Sequence, residues 1–152
     1  MSTQIKPTRQ DTWRITLSVE HPQNPGNMIN YGVWDVKSGG EVDSEERVYY
    51  PGGMEAPISL GGRKTVGDVT LQRLYRLGRD HDNIQQLIDA AGRSAVSIAQ
   101  QPMDIFGNVY GSPIVYVGTL KTVTLPETNS ESTSDPGMQE IVCTIPAPPT
   151  SS

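Results

Sequence analysis

The chain has 152 residues, the length of one domain, with 35% hydrophobic residues and a net charge of −5, a balance that excludes an electrostatic DNA binder. Val and Ile together outnumber Leu and Ala, and 15 Gly and 12 Pro punctuate the sequence. β-branched side chains keep more freedom in strands than in helices, so this composition leans to sheet and excludes an all-helical bundle.

Met1 to Asp11 is polar and reads as an arm, about residues 1–12, ahead of a single domain running to residue 145. Trp13, Ile15, Leu17 and Val19 alternate with Arg14, Thr16 and Ser18, the period of a half-buried strand. A turn cluster from His21 to Gly26 leads to a second strand over Tyr31 to Val36, where the apolar parity changes at Trp34 and suggests a bulge. Lys37 to Pro57 is the least core-like stretch. It reads as a long extended loop or hairpin, ordered by a partner, because Val48, Tyr49 and Tyr50 supply apolar surface that the local pattern does not bury. Pro57 to Leu60 predicts a short strand, and Val66 to Tyr75 a stronger one with Val69, Leu71, Arg73 and Tyr75 on one face. Arg76 to His81 is a charged connection.

A short helix is expected over about 82–91. Ile84, Leu87, Ile88 and Ala91 share a face, Asp80 or Asp82 serves as N-cap, and Gly92 follows the C-cap. The remainder reads as sheet: Ser94 to Gln100, then Ile114 to Leu125 with a bend at Gly118, then Met138 to Ile145 with Gln139, Ile141, Cys143 and Ile145 on one face. Pro146 to Ser152 is expected to be a mobile Pro/Ser tail. Six to eight strands around one helix make a mainly β fold, a sandwich or barrel with the helix at an edge or open end.

Charge is segregated along the chain. Six acids and two bases lie between Asp35 and Glu55; five bases (Arg63, Lys64, Arg73, Arg76 and Arg79) and one acid, Asp68, lie between Arg63 and Arg79. Solvated loop charge is one reading. Complementary patches that pair between copies of the chain are the other, since such charges fix register and reject wrong partners.

Catalytic and ligand-binding patterns are weak throughout. Gly61-Gly62-Arg63-Lys64-Thr65 has Arg63 where a phosphate loop needs Gly, and it precedes a strand. His81 between Asp80 and Asp82 suits helix capping better than metal or acid–base work. Cys143 alternates with Ile141 and Ile145, as a buried structural thiol does. With one cysteine, neither a disulfide framework nor a Cys-rich zinc site is expected. No run approaches the ~18 apolar residues of a membrane span, and Met1 to Trp13 shows no signal-peptide h-region. The expectation is a protein without enzymatic activity, cofactor, metal or membrane insertion. A small hydrolase or ligand-binding sandwich, with a concave pocket and perturbed titratable groups, is the competing class.

The order of several motifs is similar to that of the tail tube proteins of tailed bacteriophages. They are Lys37-Ser38-Gly39-Gly40-Glu41-Val42-Asp43-Ser44-Glu45-Glu46, then Tyr50-Pro51-Gly52-Gly53, then Gly61 through Gly67-Asp68-Val69-Thr70-Leu71-Gln72-Arg73. Gln101-Pro102-Met103-Asp104, Gly107-Asn108 and Tyr110-Gly111-Ser112-Pro113 extend the resemblance over Trp13 to Ile145. The nearest type is the major tail protein of long non-contractile tails, as in phages of actinobacteria, within a superfamily that includes contractile-tail and type VI secretion tubes. The resemblance implies two packed antiparallel sheets in a barrel-like sandwich. It also implies hexameric rings stacked through the long loop into a conduit for DNA around a tape-measure protein. Terminator and distal tail or baseplate proteins would bound the tube. The location implied is the virion tail, after synthesis in the bacterial cytoplasm. A tube or ring component of a related injection or secretion apparatus, or a tail-completion protein, is the alternative.

Exposed sheet edges, paired by ring closure, agree with this. So does an acidic excess that could face a lumen and repel passing DNA. The subunit interface is expected at Lys37, Glu41, Asp43, Glu45, Glu46, Arg47, Tyr49, Tyr50, Arg63, Lys64, Asp68, Arg73 and Arg76, with the acids of one copy meeting the bases of another.

Overall fold

In a computed structural model the described residues are 13–44, 46–53, 56–60, 62–104, 106–128, 130–131 and 136–151. The expected arm at 1–12 and Glu45 lie outside them.

Strand β1 (Trp13–Glu20) realises the period-two pattern, with Ile15, Leu17 and Val19 buried. It pairs antiparallel with β2 (Met28–Trp34) on one side and with β9 (Ala95–Pro102) on the other. The parity change in β2 is a bulge at Tyr31. Leu17 faces Gly32 and Ser18 faces Asn30, so the extra residue lets both Tyr31 and Trp34 reach the interior.

One residue, Asp35, separates β2 from β3 (Val36–Gly39), and there the chain changes neighbour: β2 pairs with β1, β3 with β8 (Val69–Leu74). The sheet path runs β2, β1, β9, β10 (Ile114–Thr124), β11 (Met138–Thr144), β8, β3, with antiparallel pairing throughout. Its two ends are consecutive in sequence, so the sheet curls into a barrel-like sandwich. Leu17, Val69, Leu71, Ile98, Leu120, Ile141 and Cys143 fill its interior. This is the mainly β architecture expected from the sequence.

Where β10 and β11 cross, the backbone comes unusually close. A Cβ on Gly118 would fall 2.0 Å from the carbonyl oxygen of Thr144, so only glycine allows this approach. The Pro/Ser tail, expected to be mobile, carries a short strand. Thr150–Ser151 forms β12 against Ile114 and Val115, on the part of β10 that β11 leaves unpaired.

The helix α1 is Ile84–Ala90, with Leu87 and Ala90 buried. Seven residues cannot sustain a helix alone, so docking must hold it. Gly92 N–H donates to the carbonyl of Leu120 and Leu120 N–H to that of Ser94, tying the helix end to β10. The N-cap residue is Asn83, with no side-chain capping bond, rather than Asp80 or Asp82. The charged connection before it is a π-helical turn, Leu77–His81, and Asp80 is buried there.

Candidate assembly surface

Beyond the barrel, β3 and β8 continue as one antiparallel ribbon. Gly40 N–H donates to the Asp68 carbonyl and Gly67 N–H to the Glu41 carbonyl. β4 (Val42–Ser44) then pairs with β7 (Lys64–Val66), and β5 (Arg47–Tyr49) with β6 (Ile58–Leu60). The segment expected as a loop or hairpin over 37–57 is therefore the outgoing half of a longer hairpin, returning through residue 68. Glycine sits where the arm leaves the barrel: Gly39 has φ +80°, and a Cβ there would lie 2.0 Å from the Asp68 carbonyl oxygen.

The arm lies largely outside the core. Tyr49 and Ile58 face each other across the strands while 56% and 50% exposed, and Tyr50 beside them is 74% exposed. Val42 and Val48 are also exposed. Such a cross-strand pair stabilises a sheet by burying shared surface, and here that surface is open. Glu41, Asp43, Glu46, Arg63 and Lys64 are exposed, and none forms an ion pair among the described residues. The acidic and the first basic stretch are thus the two strands of one arm, with Asp43 opposite Thr65 and Ser44 opposite Lys64. Arg47 takes part through its backbone in β5.

Other residues expected at an interface have partners within the chain. Lys37 Nζ lies 3.4 Å from Tyr116 Oη and 4.6 Å from that ring's centroid. Asp68 pairs with Lys121 at 3.2 Å on the surface, a contact worth little in water. Arg76 is exposed beside the π turn.

Arg73 is the correction. It is 1% exposed and cannot meet another copy. Its guanidinium lies over the Trp34 ring, 4.2 Å from the centroid. Nη1 donates to the Tyr31 carbonyl and, at 3.5 Å, to that of Val33. Nη2 donates to Asp80 Oδ1 at 2.6 Å. Asp80 also accepts from Arg76 N–H at 2.8 Å and from Arg79 Nη2 at 2.8 Å. Asp35 Oδ2 accepts Leu74 N–H at 3.2 Å. This cluster fastens β2 to β8 at the point where the chain changes neighbour. Burial pushes the Asp80 carboxyl up, but the hydrogen bonds from Arg79 and Arg76 and the charge of Arg73 outweigh it and hold it below the usual carboxylate range.

The sequence pattern groups Arg73 with Val69 and Leu71 on one face of its strand, and that face is the buried one, so the residue does not do the interface work expected of it. Ile58 and the closing cluster of Trp34, Asp35 and Asp80 went unread. The signal for Ile58 was available: the Pro51-Gly52-Gly53 turn signal lies between two short strand patterns.

His81 Nδ1 lies 2.9 Å from Tyr75 Oη, and among the described residues no group of three His, Cys, Asp or Glu is placed to hold a metal. Cys143 is buried, and burial first, with the Asp68 charge second, pushes its thiol up to about 12.

No protein-family model and no curated protein matches the chain. Solved structures do. A chain of the anti-feeding prophage cap, the AFP tube terminating cap, superposes with a TM-score of 0.66 at 14% identity, over 100% of this chain and 94% of that one. A chain of the 6-fold symmetrised anti-feeding prophage baseplate gives 0.60 at 12% identity, over 97% and 95%. A chain of the PVC sheath–tube complex, from an extracellular contractile injection system in its extended state, gives 0.57 at 16% identity, over 91% and 88%. At these identities the likeness is one of fold.

Proposed function

We propose that this chain is a structural subunit of a phage-tail-like tube, working by self-assembly and without bond-making chemistry. Copies join into hexameric rings, and the rings stack into a conduit around a tape-measure protein, closed by terminator and baseplate components. DNA passes through without sequence-specific contact. The observation that carries this reading is the ribbon from Gly40 to Asp68. It exposes an apolar cross-strand pair, Tyr49 and Ile58, and charges of both signs that have no ion-pair partner among the described residues. A second copy supplies what such an arm lacks: apolar surface for Tyr49, Tyr50 and Ile58, and opposite charge for Glu41, Asp43, Arg63 and Lys64.

The fold shared with the AFP and PVC chains supports a place in a tube, its cap or its baseplate. The PVC neighbour comes from a sheath–tube complex, which supports a tube inside a sheath beside the sheathless long-tail type suggested by the sequence resemblance. The cap neighbour, matched over 100% of this chain, favours a second reading, a ring component that ends a tube.

Electron microscopy of concentrated protein and of virions tests both. Long stacks of rings support the tube subunit, and discrete rings at one end of a tube support the terminating component. A dispersed monomer in concentrated protein, together with its absence from virion tails, overturns both. Reversing the arm's bases, Arg63→Glu with Lys64→Glu, is expected to impair polymerisation; unchanged tubes would remove charge pairing from the proposal.

A further inference from the structure

At the strand that closes the barrel, three buried side-chain polar atoms lack a protein partner among the described residues: Trp34 Nε1, Arg73 Nε and Gln139 Oε1. Their residues are 2%, 1% and 1% exposed. The three residues adjoin one another through Arg73. Gln139 of β11 is the direct cross-strand partner of Arg73 in β8, and both are buried. Opposite Cβ atoms in such a pair stand about 4.5–5.5 Å apart. The Arg73 guanidinium in turn covers the Trp34 ring at 4.2 Å.

The chemistry of the three atoms is specific. Two are N–H donors and one is a carbonyl acceptor. A cation would be repelled by the donors. An anion would be repelled by Gln139 Oε1, and the charge of Arg73 is already met by Asp80 at 2.6 Å. A water molecule accepts two hydrogen bonds and donates one, and two ordinary bonds through one oxygen reach about 5.5 Å. Buried polar groups left over by the protein are the usual hosts of internal water.

We propose that the seam of the barrel contains a binding site for one internal water molecule. It accepts from Arg73 Nε–H and Trp34 Nε1–H and donates to Gln139 Oε1. The water joins β2, β8 and β11, so the closing strand is held by a hydrated polar joint where neighbouring core residues make dry contacts.

Water-selective NMR on the ¹⁵N-labelled full chain tests this. The indole N–H of Trp34 is assigned by its disappearance in Trp34→Phe, which separates it from Trp13. It is expected to show a cross-peak to water with the sign of a molecule that tumbles with the protein. Gln139→Leu is expected to abolish that cross-peak. If this variant does not fold, a high-resolution crystal structure of the unaltered chain decides, with one ordered water within hydrogen-bonding distance of all three atoms. Absence of the cross-peak in the unaltered chain, or a direct bond from Arg73 Nε to Gln139 Oε1, would overturn the proposal.

Discussion

A guanidinium removed from water must have its charge and its N–H groups met; Asp80, two backbone carbonyls of β2 and the face of Trp34 meet the charge and the terminal nitrogens of Arg73, and Nε–H is left without a protein partner among the described residues. Asp80→Asn leaves Arg73 buried without its counter-charge. The expected loss is about 3–5 kcal/mol of unfolding free energy, read from denaturant titration. A loss near zero would mean that the cluster does not hold the seam. The same carboxyl has a pH signature. Its folded pKa is lowered, so its contribution is complete above the unfolded carboxylate value of about 4 and is lost as pH falls through the lower folded value. The fall in stability below that pH is expected to be shallower in Asp80→Asn than in the unaltered chain; equal slopes would assign it to other carboxyls. Cys143 is the opposite case, a thiol with its pKa near 12 inside the core. It is expected to resist alkylation in the native protein at pH 8 and to react promptly in denaturant; fast native labelling would contradict its burial.

The elements owe their positions to crossings as much as to pattern. β10 is the longest strand among the described residues, at 11 residues, and it serves three neighbours: β9 along one edge, β11 and β12 along the other. The approach at Gly118 makes that sharing possible. Gly118→Ala must push β10 away from Thr144, with an expected cost of at least about 2 kcal/mol by thermal or denaturant unfolding. A neutral result would show that the crossing is slack. The helix is an element of another kind. Its docked residues Leu87 and Ala90 and the bond from Gly92 to Leu120 hold in place a segment too short to persist unaided.

At the scale of the whole molecule, a closed barrel carries an arm that its own core does not cover. Tyr49→Ser with Ile58→Ser separates folding from assembly. Both residues are half-exposed, so the unfolding free energy of the lone chain is expected to change by less than about 1 kcal/mol. Ring or tube formation, followed by light scattering and electron microscopy, is expected to be lost. Intact assembly of this variant would place the contact elsewhere on the chain.

Much of this fold was legible one strand at a time. The alternation in Trp13 to Val19, Val69 to Arg73 and Gln139 to Cys143 names the inward faces, because side chains in a strand point alternately to either side whatever it pairs with. The turn residues around Pro51-Gly52-Gly53 and the exposed tyrosines likewise marked an extended arm. Local pattern could not decide what lies across the barrel. An arginine at an inward position reads the same whether a carboxylate waits there or the strand is open to solvent. Only closure of the sheet brings the Tyr31 carbonyl, 42 positions away, and Asp80, seven positions on, to Arg73. The sequence by itself therefore determined the strands and their faces, since these depend on neighbours one or two residues apart. The tertiary structure alone decided which charges close the barrel and which lie exposed on the arm, since burial and ion pairing depend on residues brought together across the chain.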